Sequence, residues 1–324
     1  MVKKSNGTEL ELAQIPRSII TVDKSTGKEL SYVQFSAVMN VEGMTMSDDD
    51  QALPIPRLKV LQGLSREVSN AVEGAKPGVF WHTAKEAACG EEIQFLPLVR
   101  YKDRFFFSDP GRQLICMSRD GAGKYGLPMS GDEDYSFSLQ AITTKIGDTE
   151  MMVQGCLCQT CRYSQWRGSG KDRKPPLCDA NNMYIGMLKD DFEEICTNVE
   201  HYASDADVSD LFGKFCVMDF KRTSFQIGEE LRNKIMMQGG IAFKSVITIK
   251  IKKDQGTKGA WFGPQLVRSE VLSNAQLIVA RGLSRFAQQM RPQILVSYTE
   301  ALKDEYVEGH TSQVISEQTT APQI

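Results

Sequence analysis

Apolar and polar positions along the chain predict strands more often than helices. Five segments are rich in β-branched and aromatic residues and are bounded by Gly, Asp or Asn, as expected of strands. They read IQFLPLVRYKDRFFFS, YSFSLQAITTKI, NNMYIGMLK, FCVMDFKRTSF and AFKSVITIKIKK. Helical spacing is confined mainly to GEELRNKIMMQ and SNAQLIVARGLSRFAQQM, the second of which Pro292 terminates. The pattern predicts an α+β protein with a mostly antiparallel, barrel-like sheet and a few peripheral helices.

The same pattern divides the chain into three parts. Residues 1–52 are polar, contain the acid run Asp48, Asp49 and Asp50, and predict a weakly structured N-terminal arm. Residues 53–296 form the predicted core. Residues 297–324 carry five carboxylates against Lys303 and predict a mildly acidic, flexible tail.

Composition narrows the class of protein. With 324 residues, of which 41% are apolar, the chain can bury a sizeable core. No apolar run approaches the roughly 20 residues that span a bilayer, and the N-terminus lacks a hydrophobic signal segment, so we expect an intracellular protein. The formal net charge of −3 disfavours a protein that coats nucleic acid with its whole surface, although it allows a local basic groove.

The cysteines are the most concentrated chemistry in the chain. Cys156, Cys158, Cys161 and Cys178 lie in the run GCLCQTCRYSQWRGSGKDRKPPLC. The Cys-x-x-Cys spacing of Cys158 and Cys161 is typical of a zinc knuckle, and Cys178 is the expected third ligand. The fourth ligand is either Cys156 or Cys116, and Cys116 is preferred because a Ser-Arg-Asp-Gly turn follows it. Four thiolates leave no coordination position for water, so we expect the zinc to be structural.

The loop between these cysteines combines cations with aromatic rings. Such a combination suits single-stranded nucleic acid, because cations follow the phosphates and aromatic faces stack on unpaired bases. The interface residues predicted in this loop are Arg162, Tyr163, Trp166, Arg167, Lys171, Arg173 and Lys174.

Two other segments predict parts of the same surface. In the first predicted strand three cations share one face, with aromatic residues close by. The candidates there are Arg100, Tyr101, Lys102, Arg104 and Phe106. The segment KIKKDQGTKGAWFGPQL resembles a hairpin tip over a groove and supplies Trp261, with Arg57 and Lys59 as weaker candidates. Each segment also has an interpretation that involves no binding. The strand could be half-buried with a solvated polar face, and the hairpin tip could be a β-turn whose Trp packs into the core.

Other motifs and residues that could bind a metal ion or catalyse proton transfer are few. The chain has no P-loop, no His-Glu-x-x-His and no zinc-deaminase motif. His82 and His201 are alternative nitrogen ligands, and the remaining thiols are expected to be buried. The acid run DDFEE is more simply the start of a helix than an Mg²⁺ site. We therefore expect a protein that is not an enzyme.

A family resemblance agrees with these residues. The segments PIPRLKVLQGLSREV, AKPGVFW, ICMSRDG, CQTCRYSQW, PPLC, NNMYIGML and KGAWFGPQL, spread over residues 53–290, resemble tailed-bacteriophage single-stranded-DNA-binding proteins. The resemblance implies an OB-fold-like β-barrel with an inserted zinc-knuckle loop at residues 156–178. It also implies an acidic C-terminal tail that recruits replication proteins. The extra Cys156 and the mildly acidic tail depart from that pattern.

Together these observations predict a non-enzymatic protein that binds single-stranded DNA in the cytoplasm of the infected host cell, during phage DNA replication, recombination or repair. One alternative is a zinc-stapled structural or protein-interaction component of the virion. A third is a metal-dependent nuclease.

Overall fold

The computed structural model describes residues 56–107, 114–118, 122–128, 137–146, 149–169, 174–204, 208–256 and 259–289. The predicted arm at residues 1–52 and the predicted tail at 297–324 lie outside these ranges. The described ranges contain twelve strands: β1 (Leu58–Val60), β2 (Phe80–His82), β3 (Ala87–Gly90), β4 (Glu92–Phe107), β5 (Leu114–Ser118), β6 (Tyr125–Pro128), β7 (Gln140–Ile146), β8 (Thr149–Leu157), β9 (Asp179–Leu188), β10 (Cys216–Lys221), β11 (Ser245–Gly256) and β12 (Gly259–Val271).

The helices of the described residues are short apart from two. They are α1 (Arg66–Ser69), α2 (Lys189–Thr197), α3 (Val199–Ser204), α4 (Val208–Phe212), α5 (Phe225–Met237) and α6 (Asn274–Gln289). In this part of the chain, every helix is too short or too polar to cross a membrane. The predicted strands appear as β4, β7, β9, β10 and β11, and the two predicted helices appear as α5 and α6, so these sequence predictions are confirmed.

The long strand β4 organises a nine-stranded antiparallel sheet. One edge of β4 pairs with β9 from Phe95 to Phe105. The other edge is divided: its beginning pairs with β11, and its end, from Arg104 onward, pairs with β5. The register along β9 shifts between Pro97 and Val99, as expected because proline has no backbone N–H for a regular ladder.

The predicted OB-fold-like barrel is therefore wrong. A barrel requires the strands at the two ends of a sheet to pair with each other. The sheet runs β10-β9-β4-β5-β6-β8-β7, with the β11-β12 hairpin as a second branch from β4. Among the described residues, the end strands β10, β7 and β12 do not pair with one another, so the sheet branches and stays open.

The zinc knuckle predicted as part of this fold is corrected as well. Among the described residues, no group of three or more His, Cys, Asp or Glu side chains is placed to hold a metal ion. The antiparallel pairing and the small number of helices do agree with the prediction.

Both faces of the sheet centre are buried, because period-two alternation places apolar side chains on each side. On one face, Met183 and Ile185 of β9 pack in a cluster with α2 and α6. On the other face, Tyr184 and Phe220 pack with α5 and with a small sheet of order β1-β2-β3. This second face positions the candidate interface, because strand β1 and the segment after β10 border the same groove.

Candidate nucleic-acid interface and thiol cluster

An open groove with a volume of about 410 Å³ lies between β1, the end of β10 and the start of β12. Its floor is apolar and includes Leu58, Val60, Phe80, Met218 and Phe220. Five cations line it against a single acid, Asp219. The cations are Arg57, Lys59, Arg66, Lys221 and Arg222. The groove therefore combines an apolar floor with a strongly positive lining.

Asp219 holds two of these cations in place. Its carboxylate lies 3.5 Å from an Arg57 guanidinium nitrogen and 3.2 Å from Lys221 Nζ. The Arg57 and Asp219 side chains are almost fully buried, whereas Lys221 is partly exposed. Burial makes this pairing costly to break, so it fixes the wall of the groove.

Arg222 marks the end of the groove nearest the cysteine loop. Its φ of 49° is in the left-handed region, which non-glycine residues seldom adopt. Its Nε donates a 2.8 Å hydrogen bond to Asp179, the residue that directly follows Cys178. This contact places the basic end of the groove beside the loop that closes at Cys178.

The start of β12 brings two half-buried aromatic residues, Trp261 and Phe262, to the lining of the groove. The Gln62 side chain fixes this backbone, because its Nε2 donates to the Phe262 carbonyl at 2.7 Å while its Oε1 accepts from the Phe262 N–H at 3.0 Å. Lys253 Nζ lies 5.8 Å from the centroid of the Phe262 ring. The Gln62 amide thus links the start of β12 to the loop after β1 and fixes the backbone that carries the Phe262 ring.

Helix α5 covers the cationic strand face predicted at Arg100 and Lys102. Arg100 donates to Asn182 and lies 3.3 Å from a Glu229 carboxylate oxygen. Lys102 Nζ lies 3.9 Å from Glu229 and 5.5 Å from the centre of the Phe225 ring. These contacts use the two cations to attach the helix to the sheet.

The pKa values at this covered face reflect burial and mutual charge. Burial lowers the pKa of Lys102, while the Glu229 charge opposes that shift. Burial alone would raise the pKa of Glu229, but the Asn182 hydrogen bond and the charges of Lys102 and Arg100 lower it on balance. Glu229 is therefore held in its charged form.

Three other strand candidates are separated from the groove. Tyr101 lies on the opposite face of β4, buried in the cluster with α2 and α6. Phe106 is buried beneath the cysteines, where its ring stacks on Tyr163 with centroids 4.8 Å apart. Arg104 is half-buried, and its charge acts on Cys178.

The loop after β8 keeps most of its predicted cations at the surface. Arg162, Trp166, Arg167 and Lys174 are exposed. Arg167 and Lys174 exchange backbone hydrogen bonds of 3.0 and 2.8 Å, which join the two sides of the loop as in a hairpin. Tyr163 is buried instead, with the Arg162 guanidinium 4.6 Å from its ring centroid. Lys171 and Arg173 fall outside the described residues.

The five candidate ligand cysteines come together in space. Cys116, Cys156 and Cys178 are buried in one cluster with Phe106 and Tyr163, and Cys161 packs against it. Cys158 joins them, because its Sγ shares the space above Gly126 with the Sγ atoms of Cys116 and Cys156. The structure thus gathers Cys116 and Cys156, the two alternatives for the fourth ligand, in the same place.

Hydrogen bonds between these thiols and their burial raise the pKa values of three of them. A hydrogen bond with Cys116 raises the pKa of Cys156 to about 11, and burial adds to the effect. A hydrogen bond with Cys156 raises the pKa of Cys161 well above its usual value. Burial raises the pKa of Cys178 to about 12, against the opposing charge of Arg104. All three are protonated at neutral pH when nothing is bound.

The other candidate ligands belong to other parts of the fold. His82 is fully buried in the small sheet, where its Nδ1 accepts a 3.2 Å hydrogen bond from the Lys85 N–H. His201 is exposed on α3 beside Tyr202. Of the thiols expected to be buried, Cys216 is buried, while Cys89 and Cys196 are half-buried.

The sequence did not predict several residues of the groove. Arg66, Lys221 and Arg222 were not predicted, and Gln62 carried no recognisable signal. The Lys-Arg pair that ends a predicted strand in FCVMDFKRTSF was the available indication, because strand ends often carry binding residues. Gln62 acts through a residue 200 positions away, which no local pattern reveals.

Comparison with known proteins gives a match to a family over part of the chain. Residues 25–111, about a quarter of the chain, match the family described as Pam3 phage gp34-like protein. This segment includes β1 to β4 and therefore one wall of the groove. No curated protein and no solved structure matches the chain. The similarity to the gp34-like family suggests that this is a phage protein.

Proposed function

We propose that this protein binds single-stranded DNA without catalysing a reaction, in phage DNA replication, recombination or repair within the cytoplasm of the infected host cell. The observation that supports the proposal most is the groove, in which five cations, Trp261 and Phe262 line an apolar floor. Cations and exposed ring faces are the two features that sequence-tolerant binding of single strands requires.

In this proposal, phosphates follow the cationic wall of the groove. Lys221 and Arg222 are partly exposed and engage in ion pairs with Asp219 and Asp179. A phosphate can compete for Arg222, because exposed ion pairs contribute only about 0–1 kcal/mol. Lys221 can turn toward a phosphate because Arg57 remains paired with the buried Asp219. Binding releases counterions from the DNA, so affinity should fall steeply with salt.

Unpaired bases would stack on the aromatic residues of the groove. The Gln62 amide holds the Phe262 backbone before any ligand arrives, so little ordering of the backbone is needed on binding. Base stacking on an aromatic side chain contributes roughly 1–3 kcal/mol. A duplex keeps its base faces stacked internally, which favours single strands at this site.

The cysteine loop would extend the interface beyond the groove. Arg222 bonds to Asp179, next to Cys178, and the loop presents Arg162, Trp166 and Arg167 to solvent. A strand that leaves the groove past Arg222 would meet these cations next. The acidic tail at residues 297–324 is proposed to recruit replication proteins, as the family resemblance implies.

The direct test is binding of fluorescently labelled oligo(dT), measured by anisotropy over a salt series. We expect tight binding at low salt and a linear loss of log affinity with log salt. Trp261→Ala should lower affinity by about 1–3 kcal/mol, roughly 5- to 150-fold, and Trp166→Ala by less. Lys221→Ala should lower affinity and reduce the salt slope by about one.

Arg281→Ala is the matched charge control, because it removes an exposed cation from α6, which does not line the groove. Equal losses for Lys221→Ala and Arg281→Ala would point to unspecific charge attraction. Absence of binding at low salt would exclude the proposal.

A structural or protein-interaction component of the virion is the second candidate. Exposed apolar side chains favour it: Met236 and Met237 end α5, and Val267 and Val271 lie on β12, whose described residues pair only with β11. A hydrogen bond from Gln238 to Ser269 joins these two elements. Stoichiometric amounts of the protein in purified particles would support this role. Loss of DNA substrate only when Mg²⁺ is present would instead identify the third candidate, a nuclease.

A further inference from the structure

The outer edge of β12 is open in the part of the chain that the structure describes. There β12 pairs only with β11. By contrast, the outer edge of β10 is occupied, because the Val217 N–H donates to the Pro56 carbonyl at 2.8 Å. Gln62 occupies only the start of the β12 edge, through its two hydrogen bonds to Phe262. The rest of β12 therefore presents an edge to which another strand can add.

Two features confine the usable edge to the last residues of β12. Pro264 has no N–H to donate. The register with β11 shifts between Thr248 and Ile249, which leaves Val267 in a bulge. Regular strand geometry therefore resumes at Arg268 and continues to the end of β12.

The backbone of Ser269 points toward this open edge. The Ile251 N–H donates to the Glu91 carbonyl at 2.8 Å, so the odd-numbered residues of β11 direct their backbone groups away from β12. Ile247 is one of these residues, and it lies opposite Ser269. Ser269 therefore directs its own N–H and C=O away from β11, where a further strand would meet them.

The charges beside Ser269 are complementary to themselves. If two copies pair antiparallel about Ser269, Arg268 of each copy lies directly opposite Glu270 of the other. Directly opposite residues share a face of the sheet, so both pairs bring unlike charges together. Both residues are exposed. The contact of Glu270 with Lys189, at 3.3 Å, is an exposed ion pair that does not prevent a second partner.

We propose that two copies of this protein associate through the outer edges of β12, antiparallel about a two-fold axis at Ser269. At the axis, the Ser269 N–H of each copy donates to the Ser269 carbonyl of the other, flanked by the two pairs of Arg268 and Glu270. A patch that is complementary to itself is what a closed two-fold interface requires. The ladder of β4, β11 and β12 would then continue from one copy into the other.

Exposed apolar side chains lie around the same axis. Gln238 Nε2 donates to Ser269 Oγ at 3.1 Å, which places the end of α5 beside the axis. Met236 and Met237 at this end are 59% and 89% exposed, and Val271 of β12 is 59% exposed. Association would cover these side chains as well as the edge. The contact is smaller than the roughly 1,200–2,000 Å² of stable interfaces, so we expect reversible association at micromolar concentrations.

Sedimentation velocity of the full chain at low salt tests the proposal over a series from nanomolar to high micromolar concentrations. We expect the mass to rise from that of one chain to that of two chains. The mass of one chain at every concentration would overturn the proposal. The measurement uses no DNA, so its outcome is independent of the proposed function.

Two substitutions of Ser269 distinguish the backbone ladder from the side chain. Proline removes the N–H at the axis, so Ser269→Pro should stay a single chain at every concentration. Ser269→Ala keeps this N–H and loses only the hydrogen bond from Gln238, so it should still associate. The same behaviour in both variants would overturn the pairing through Ser269.

Charge reversal tests the register without changing the backbone. Arg268→Glu and Glu270→Arg should each weaken association by roughly 10-fold, because like charges then lie opposite each other on both sides of the axis. The double variant restores unlike pairs and should recover the dissociation constant of the wild type. Arg281→Glu is the matched control, since it reverses an exposed cation on α6, outside this edge. A double variant as weak as the single variants would overturn the register centred on Ser269.

Discussion

Two cationic regions of this molecule share residue types and differ in what covers them. On β4, Arg100 and Lys102 lie beneath α5 and contact Glu229 from that helix. In the groove, Lys221 and Arg222 remain open to solvent beside Trp261. Alternation along a strand predicted the first region, while the second is assembled from distant segments. The difference shows that a cationic strand face stays accessible to a ligand only when no helix packs over it.

The largest expected effect comes from lifting the helix off the covered face. Gly228 of α5 touches the sheet so closely that an added Cβ would lie 2.7 Å from Phe220 Cβ and 2.8 Å from Asn182 Cβ. Gly228→Ala should therefore lower the free energy of unfolding by about 2–3 kcal/mol, despite the better helix propensity of alanine. Denaturant unfolding measures this change, with Gly63→Ala as the control.

The same variant also tests what α5 hides. If α5 is displaced and Arg100 and Lys102 become exposed, oligo(dT) affinity should rise at a fixed low salt concentration. An unchanged free energy of unfolding would show that the helix is not tightly seated on the sheet.

A smaller effect is expected on the groove side, where β1 pairs with β2 and Leu58 lies opposite the buried His82. Burial, followed by the charge of Lys85, lowers the pKa of His82 from 6.5 to about 4. Above pH 6.5 the imidazole is neutral in both states and stability is unaffected. Between pH 6.5 and 4 the unfolded chain binds a proton that the folded chain does not. The free energy of unfolding should therefore fall over this window, by about 2 kcal/mol after allowance for solvent screening.

This prediction requires unfolding measurements at several pH values. His82→Asn should flatten the decline between pH 6.5 and 4, whereas His201→Asn, which changes an exposed imidazole, should leave it intact. The same slope in wild type and His82→Asn would rule out His82 as its source.

The smallest expected effect is that of removing Glu229, which tests whether Arg100 and Lys102 only stabilise the fold or also bind DNA. Glu229→Ala removes the acid between Arg100 and Lys102, so stability should fall by about 1 kcal/mol because two half-buried cations lose their partner. Oligo(dT) affinity should change no more than in Glu230→Ala, which removes an exposed carboxylate from the same helix. A selective rise in affinity for Glu229→Ala would mean that the covered cations already contact DNA.

Local patterns in the sequence predicted the elements well and their assembly poorly. The strand β4 and the helices α5 and α6 were recognised from side-chain periodicity, which depends on neighbouring residues. The open, branched sheet was not predicted, because it depends on which distant strands share the two edges of β4. Periodicity also placed Arg100 and Lys102 on one face without indicating that α5 would cover it.

The candidate sites show the same limit. Cysteine spacing identified five thiols that the fold does bring together, and Cys116 was included although it lies far upstream. The space above Gly126 could not be predicted, since it depends on β6 lying between β5 and β8. The groove joins residues 57–66, 218–224 and 261–264, so no single segment contains its pattern.

The divided edge of β4 has a consequence for how the chain is made. Phe95 pairs with Leu188 of β9 on one side and with Ile247 of β11 on the other. The beginning of β4 therefore has no partner at its second edge until most of the chain has been synthesised. Until then its apolar residues and unpaired amides are exposed on the ribosome. Pairings this distant slow folding and favour aggregation of incomplete chains. Fragments that end before β11 should therefore accumulate in insoluble form, whatever the full-length protein binds.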